Sequence, residues 1–277
     1  DRVQLGDGAI SMRVLEVGDE VAQARVETGG EGNGRPGVHL SSETLRLPTP
    51  TPDDLVLADA VAAAGVEYVA VSFVRAAADV DEVRAVVGDR AQLVAKIETS
   101  AAIGQLGEVI GASDALMVAR GDLGIDCPIE DVPHLQKDII RQCVEAGVPV
   151  ITATQMLESM VTGPSPTRAE VSDVANAVFD GTDALMLSGE TAIGRDPAAV
   201  VRTMITVAAR AEAEATYRAW ANRLGRAQRL PHHEQLSGID PITAALTHAA
   251  EQAAIDADVD AILCCTHSGR TARAMAR

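Results

Sequence analysis

Aromatic side chains are almost absent from this chain of 277 residues, which has one tryptophan, two tyrosines and two phenylalanines. Hydrophobic residues still make up 47 % of the chain, so alanine, valine, isoleucine and leucine must form its core. These residues favour helices and buried parallel strands over a small β domain with an aromatic core. The length allows one large domain or two to three smaller ones.

Basic residues are scarce as well. Lysine and arginine number 23 against 40 aspartates and glutamates, for a formal net charge of −17. A surface this acidic repels nucleic-acid backbones and anionic membranes, so we expect neither as a partner. A site for anionic metabolites would need local cations that reverse the field.

Several signals of other protein classes are missing. No apolar run approaches the roughly 20 residues that span a bilayer, and no signal peptide is visible, so we expect a cytoplasmic protein. The six histidines show no ligand spacing. No CxxC pair occurs, which favours buried reduced thiols over disulfides or a zinc site; the cysteines are Cys127, Cys143, Cys264 and Cys265. Because the chain starts at Asp1 without a methionine, we expect an internal piece of a longer protein.

Residues 1–47 predict a β-rich domain. Apolar residues recur at about every second position in Ala9–Val17 and Glu20–Glu27, as in half-buried strands. The glycine-rich stretch Thr28–Gly37 then predicts a loop. A second break, Leu47–Asp54, ends in aspartates that we expect to cap a helix terminated near Gly65.

Residues 48–215 alternate short apolar strands with amphipathic helices. This pattern predicts parallel strands joined by right-handed crossovers, as in part of a (β/α)8 barrel or a doubly wound sheet. No GxGxxG motif follows a strand, so the main dinucleotide-binding signal is absent. The five predicted strands are Tyr68–Phe73, Gln92–Ile97, Ala115–Ala119, Val148–Ala153 and Ala184–Ser188.

Two further helices are expected to flank these strands. The clearest has Asp131 as its cap, Pro133 in its first turn and Gly147 as its end. A long alanine-rich helix is expected from about Pro197 to Leu224. Residues 216–277 then predict the start of a second α/β domain, in the order helix, strand, glycine-containing turn and helix.

Charged side chains lie at the carboxyl ends of two consecutive strands, which is where α/β proteins carry their catalytic and binding residues. Lys96 and Glu98 share one face of their strand because side chains alternate across it. Asp122 follows the next strand and can converge with Glu98, since neighbouring strands lie about 4.8 Å apart. Two carboxylates beside a lysine suit Mg²⁺. A strand-end ion pair and a turn-capping aspartate explain the same residues about equally well.

Other strand ends carry weaker signals. A helical turn after Ala119 would point backbone N–H groups at an anion, or it is an ordinary turn. Thr152 and Thr154 offer hydroxyls, although packing explains buried threonines more often. Ser188 and Glu190 could lie at the same rim, or Ser188 could cap a helix. His267–Thr271 could bind a phosphate or form only a turn.

Four segments in this order and spacing resemble pyruvate kinase: VAKIET, MVARGDLGID, ITATQMLESM and PTRAEVSDVANAVFDGTDALMLSGET. The resemblance covers nearly the whole chain. It implies an incomplete (β/α)8 TIM barrel with a β lid-domain fragment before it and a C-terminal α/β regulatory domain begun after it. Residues 1–47 would be the C-terminal part of the lid, residues 48–215 barrel strands four to eight, and residues 216–277 the start of the regulatory domain.

The resemblance also implies an activity and its residues. The reaction would be phosphoryl transfer from phosphoenolpyruvate to ADP, giving pyruvate and ATP. Glu98 and Asp122 would bind Mg²⁺ or Mn²⁺, while Lys96 would neutralise the phosphoryl group and the enolate. Thr154 would contact substrate and lie near the path of the enolate's proton. The substrate carboxylate would meet backbone N–H groups of Ala119, Arg120, Gly121 and Asp122.

Further implications concern regulation and partners. The segment Thr266, His267, Ser268, Gly269, Arg270 and Thr271 matches the family's phosphate loop for a sugar-phosphate effector. Relatives are homotetramers, and K⁺ is a family cofactor whose ligands we expect outside this chain. The first three barrel strands are also expected to lie outside it. Two alternatives stay open: a catalytically inactive truncated relative that acts as a binding or regulatory protein, and another Mg²⁺-dependent enolate barrel.

Overall fold

The computed structural model describes residues 2–5, 10–30, 37–40, 48–213, 241–257, 259, 261–267 and 269–275. The chain divides into two units, which are described separately. The first contains Asp1–Lys137 and Thr152–Gln155, and the second contains Asp138–Ile151 and Met156–Arg277. Within the described residues, no helix has both the length and the apolar character that crossing a membrane requires.

The strands begin with four short ones and continue as a parallel series. They are β1 (Arg2–Leu5), β2 (Ile10–Val17), β3 (Ala22–Thr28), β4 (Val38–Leu40), β5 (Tyr68–Val71), β6 (Gln92–Ile97), β7 (Ala115–Ala119), β8 (Val150–Ala153) and β9 (Ala184–Leu185). The first four form an antiparallel sheet in the order β3-β2-β1-β4. Strands are present in both predicted segments, but they are mostly exposed, and β3 is exposed throughout instead of half-buried.

The helices separate the parallel strands. They are α1 (Pro52–Ala63), α2 (Ala77–Val87), α3 (Ser100–Gly104), α4 (Leu106–Ala112), α5 (Arg120–Asp126), α6 (Val132–Ala146), α7 (Arg168–Asp180), α8 (Gly189–Ala192), α9 (Pro197–Glu212), α10 (Pro241–Asp256) and α11 (Arg270–Met275). The α/β fold with parallel strands agrees with the sequence prediction. In the first unit β5, β6, β7 and the end of β8 are neighbours in that order, and in the second unit β9 lies beside the start of β8.

The parallel strands are in a regular register. Val71 of β5 is level with Ala95 of β6, and Lys96 of β6 is level with Met117 of β7. The interior is aliphatic, as the composition requires, and methionine contributes where aromatic residues would otherwise fill space. One buried cluster of the second unit contains Met156, Leu157, Met160, Val174, Ala177, Val200 and Met204.

An aspartate joins each of two strands to the preceding one. The sequence Asp-Ala-Leu-Met occurs at the start of both β7 and β9. In the first unit Asp114 N–H donates to Leu93 O at 3.0 Å, and Leu93 N–H donates to Asp114 Oδ2 at 2.8 Å. In the second unit Asp183 and Val150 make the same two bonds, at 2.9 and 2.8 Å. We call this reciprocal pair the aspartate bracket.

Helix ends follow the sequence signals with one correction. Aspartates were expected to cap α1, but its N-cap is Thr51, whose hydroxyl accepts from Asp54 N–H while the Asp54 carboxylate accepts from Thr51 N–H. A hydroxyl fits the N-cap, and an acid three residues on completes a capping box. The predicted bounds of α6 are confirmed, with Gly147 at φ +69° directly after its end.

Some predicted elements are shorter or missing. β5, β8 and β9 cover fewer residues than their apolar runs, because the apolar runs continue into adjoining turns, whose residues are half-buried or exposed here. The strand expected near residues 261–265 is wrong, since these residues are neither strand nor helix. An extended segment becomes a strand only through pairing, and none of the described strands pairs with it. The helix expected to reach Leu224 ends at Glu212 in the described residues, and residues 214–240 lie outside them.

Candidate active site

Lys96 and Glu98 meet at the carboxyl end of β6. The Lys96 ammonium lies 2.7 Å from Glu98 Oε1, as the shared strand face predicts. It also donates to Ser72 Oγ at 3.0 Å. Glu98 is only 2 % exposed, whereas Lys96 keeps partial access to solvent. The strand end therefore holds a buried carboxylate with one fixed cation beside it.

The second oxygen of Glu98 is held by the backbone. Phe73 N–H donates to Glu98 Oε2 at 2.6 Å, from the turn that follows β5. Burial raises the pKa of Glu98 above its ordinary value, and repulsion from Asp122 acts in the same direction. The Lys96 contact and the Phe73 hydrogen bond oppose this rise in pKa without cancelling it. A further cation beside Glu98 and Asp122 would relieve the remaining cost of the buried charge.

Asp122 reaches this place because α5 begins directly after β7, which puts it in the first turn of the helix. Glu98 and Asp122 line one cavity of about 910 Å³ within the first unit. Ser72 and Phe73 line it as well, and the cavity continues along β5 and α1. The structure thus brings together Lys96, Glu98 and Asp122, the three residues that the sequence predicts to converge.

The side chains present fit a hard divalent cation that keeps open positions. No group of three or more His, Cys, Asp or Glu side chains within the described part of the chain is placed to hold a metal. The site offers the carboxylates of Glu98 and Asp122 as oxygen ligands, and the buried Glu98 is repelled by Asp122. Mg²⁺ is commonly held in this way, by one or two carboxylates with water and substrate oxygens.

Thr154 lies next to the start of α5. Its hydroxyl oxygen accepts a 2.8 Å hydrogen bond from Gly121 N–H, so this amide, one of those predicted to face an anion, has a partner in the protein. Thr154 has φ +68°, a costly conformation for a β-branched residue. Thr154 and the Arg120–Asp122 turn, which the resemblance implies both contact the substrate, are therefore neighbours in the structure.

The Arg120 side chain holds the Thr154 turn. It is 9 % exposed and donates to the carbonyl oxygens of Ala153, Thr154 and Gln155, at 3.3, 2.7 and 3.3 Å. It also donates to Gln136 Oε1 at 3.3 Å. The sequence predicted a role for the Arg120 backbone N–H. The structure adds a structural role for the side chain, which strand and turn patterns do not indicate.

Backbone strain is concentrated at strand ends. In the described part of the chain, the non-glycine residues with positive φ are Phe73, Thr154 and Gln155. Phe73 follows the end of β5, and the other two follow β8. Strained backbone conformations of this kind persist where neighbouring contacts compensate for them, and they cluster at functional sites.

The sequence reasoning missed two residues of this site, Ser72 and Phe73. The predicted strand Tyr68–Phe73 ends with both of them. Ser72 directly follows Val71, which is level with Ala95, and this register brings its hydroxyl to the Lys96 ammonium. No sequence signal indicates the positive φ of Phe73.

The other predicted residues are placed in the second unit or do not reach the cavity. Thr152 is fully buried, in keeping with the packing alternative. Glu190 is 1 % exposed and accepts from the N–H groups of Met156, Leu157 and Ser188 at 2.8 to 3.2 Å. It thus has a structural role, and Ser188 precedes α8 without a side-chain capping bond.

The segment expected to bind an effector phosphate lies in the second unit. Thr266 Oγ1 accepts from Gly269 N–H at 3.1 Å, Gly269 has φ +78°, and α11 starts at Arg270. His267 is exposed, and Ser268 lies outside the described residues. The segment thus contains a turn, which fits both alternatives, and phosphate binding stays a prediction.

Comparisons with known proteins agree on one family. Residues 1–201 match the model of the pyruvate kinase barrel domain. The chain is 43 % identical over 276 residues to a pyruvate kinase of Methylorubrum extorquens, covering 99 % of this chain and 55 % of the relative. It is 42 % identical over 283 residues to the enzyme of Sporosarcina psychrophila (99 % and 46 %). It is also 42 % identical over 279 residues to human pyruvate kinase PKLR (100 % and 47 %). The chain therefore spans about half the length of these relatives.

Proposed function

This chain belongs to the pyruvate kinase family, and we propose that it carries the metal and phosphoenolpyruvate sites of a pyruvate kinase. The reaction is phosphoryl transfer from phosphoenolpyruvate to ADP, giving pyruvate and ATP. The observation that carries the proposal is the buried Glu98 carboxylate, which lies 2.7 Å from the Lys96 ammonium and lines one cavity with Asp122. It lies in a protein whose net charge of −17 would otherwise repel two anionic substrates.

Glu98 and Asp122 are the proposed protein ligands of Mg²⁺ or Mn²⁺. When bound, the ion neutralises charge on the phosphoryl and enolate oxygens. The raised pKa of Glu98 supports this assignment, because a cation would restore the ionised form that burial disfavours. K⁺ enters the proposal as a cofactor of the family, with no ligand assigned among these residues.

Lys96 supplies the fixed positive charge of the protein. Its ammonium is held by Glu98 and Ser72 rather than free to rotate. Phosphoryl transfer depends on positioning and charge stabilisation more than on covalent help from the protein, and Lys96 is placed to provide both. We propose that it lies against the phosphoryl group in flight and the developing enolate.

Thr154 and the start of α5 are proposed to hold the rest of the substrate. The N–H groups of Ala119, Arg120, Gly121 and Asp122 would receive its carboxylate, with the Thr154 hydroxyl beside them. The 2.8 Å hydrogen bond from Gly121 N–H to Thr154 Oγ1 supports the placement of the hydroxyl beside this turn, and the carboxylate would take over this donor from the hydroxyl. Thr154 would then lie near the path by which the enolate is protonated.

The family assignment extends the proposal to the whole architecture. Residues 1–47 would belong to the lid, residues 48–215 to the (β/α)8 barrel and residues 216–277 to the regulatory domain. A cytoplasmic homotetramer is proposed for the longer protein. Thr266–Thr271 is proposed to receive the phosphate of a sugar-phosphate effector, and the turn closed by Thr266 Oγ1 and Gly269 N–H supports it.

The chain offers a matched pair for testing Lys96, because its two lysines are Lys96 and Lys137. The assay is Mg²⁺-dependent ATP formation from phosphoenolpyruvate and ADP by the protein that contains this sequence. We expect Lys96→Met to lower kcat by about 10²–10³-fold or more, the typical effect of removing one electrostatic contact to a transition state. Lys137→Met, in an exposed helical position, should leave kcat within about twofold.

Two results would contradict the proposal in different ways. Undiminished turnover in Lys96→Met would remove Lys96 from the mechanism. No turnover by the parent protein, together with measurable binding of phosphoenolpyruvate, would favour the inactive binding or regulatory relative instead.

A further inference from the structure

Phe73 has a backbone conformation that its own side chain does not explain. Its φ is +53°, in the left-handed region that bulky residues rarely adopt. A large apolar side chain could compensate for such strain by packing into the core, but Phe73 is 47 % exposed. Something other than burial of the ring must therefore stabilise this conformation.

The compensating contact is the hydrogen bond to Glu98. Phe73 N–H donates to Glu98 Oε2 at 2.6 Å from the turn that follows β5, the strand next to β6. This donor acts on a carboxylate that is 2 % exposed, and a hydrogen bond is electrostatically stronger in such a buried place than in water. With Oε2 held by Phe73 and Oε1 by Lys96, both oxygens of Glu98 are fixed in orientation.

We propose that Phe73 is a positioning residue for the cation site: its left-handed backbone aims one N–H at Glu98 and so orients this carboxylate toward Asp122. The inference rests on the proposed function, since it assumes that Glu98 binds a divalent cation. It assigns the role to the backbone of Phe73 rather than to its ring. Hydrogen bonds from residues outside the ligand set commonly orient metal ligands. The backbone strain at Phe73 is then the cost of keeping Glu98 oriented before the cation binds.

Substitutions that differ in their tolerance of positive φ test the backbone role. Glycine adopts this region freely and asparagine does so more readily than most residues, whereas valine, branched at Cβ, resists it strongly. We would measure Mn²⁺ binding to the full chain, by the loss of the free-ion electron paramagnetic resonance signal, for Phe73→Gly, Phe73→Asn, Phe73→Ala and Phe73→Val. We expect Gly and Asn to bind within about threefold of the parent and Val to bind at least tenfold more weakly, with Ala between them.

The series distinguishes the possible outcomes. Equal Mn²⁺ affinity in all four variants would overturn the positioning role while leaving the cation site intact. Equal weakening in all four, Gly included, would assign the effect to the ring and overturn the backbone role. If the parent itself shows no Mn²⁺ binding that Glu98→Gln weakens, the proposed cation site fails, and the role of Phe73 fails with it.

A second measurement needs no metal and covers the case in which the valine variant does not fold. Hydrogen exchange of the residue 73 amide should be slow in the parent and in Phe73→Asn. It should become at least tenfold faster in Glu98→Ala, while exchange in the β6–β7 strands is unchanged. An amide that exchanges equally fast in the parent and in Glu98→Ala would overturn the proposed contact.

Discussion

The clearest stability prediction concerns Arg120→Met. The substitution keeps a long flexible side chain but removes the guanidinium, which donates to at least four acceptors around Thr154. Two of these bonds, to Ala153 O and Gln136 Oε1, are buried, and the other two are only partly buried. Water can reach the partly buried acceptors after the change, so the buried pair determines the loss.

The size of the loss follows from the two buried bonds. Hydrogen bonds to a charged group contribute about 1.5 kcal/mol or more each, so the free energy of unfolding should fall by about 3 kcal/mol. The assay is urea unfolding followed by far-ultraviolet circular dichroism, with the midpoint and the slope compared separately. Arg141→Met is the matched control: Arg141 is half-exposed and pairs with Asp138 and Glu145 on α6, so its loss should stay below about 1 kcal/mol.

Two results would refute this reasoning. A loss below about 1 kcal/mol for Arg120→Met would mean that the carbonyls of the turn find other partners at little cost. A loss equal to that of Arg141→Met would mean that burial of the guanidinium has no bearing on its contribution.

Two further predictions concern Glu170 and Gly194, which lie in the second unit. Burial of Glu170 disfavours its ionised form, but hydrogen bonds led by those from Ser159 outweigh this and lower its pKa below the ordinary 4.5. The stabilisation by the ionised Glu170 carboxylate is therefore present above about pH 4.5 and is lost as the pH falls through the lowered pKa. Glu170→Gln should lower Tm at pH 7, and the difference in Tm from the parent should shrink as the pH falls. A difference in Tm that stays constant with pH would contradict this. A Cβ on Gly194 would lie 1.9 Å from the carbonyl oxygen of Glu190. Gly194→Ala should therefore lower the free energy of unfolding by about 1–3 kcal/mol, whereas Gly111→Ala, in open space within α4, should raise it by about 0.5–1 kcal/mol; the same sign for both would be against the steric argument.

Regular features of the site could be predicted from the sequence. The bounds of β6 and β7 are those predicted, and alternation along β6 is enough to place Lys96 and Glu98 together. These results depend on strand geometry alone, which apolar patterns report well. Convergence of Glu98 and Asp122 follows from parallel pairing, which strand–helix alternation indicates.

Features that depend on local backbone angles could not be predicted. Phe73 reads as the end of a strand because it continues an apolar run, yet it leaves the strand with positive φ. The Arg120 side chain looks like part of an anion-binding turn, but its acceptors are carbonyl groups more than 30 residues away. Such contacts are set by the three-dimensional path of the chain, and single residue types do not encode them.

The aspartate bracket at the start of β7 has a consequence at the opposite end of the sheet. Parallel strands lack a tight turn that would fix their alignment, so β6 and β7 could slip past one another by one residue. Such a slip would turn every side chain of the shifted strand to the other face. The two bonds between Asp114 and Leu93 are satisfied in one alignment, the one that makes Lys96 level with Met117. Asp114 lies about 17 Å from the far end of β7, at roughly 3.3 Å per residue. It thereby fixes the alignment in which the face that carries Lys96 and Glu98 meets the cavity.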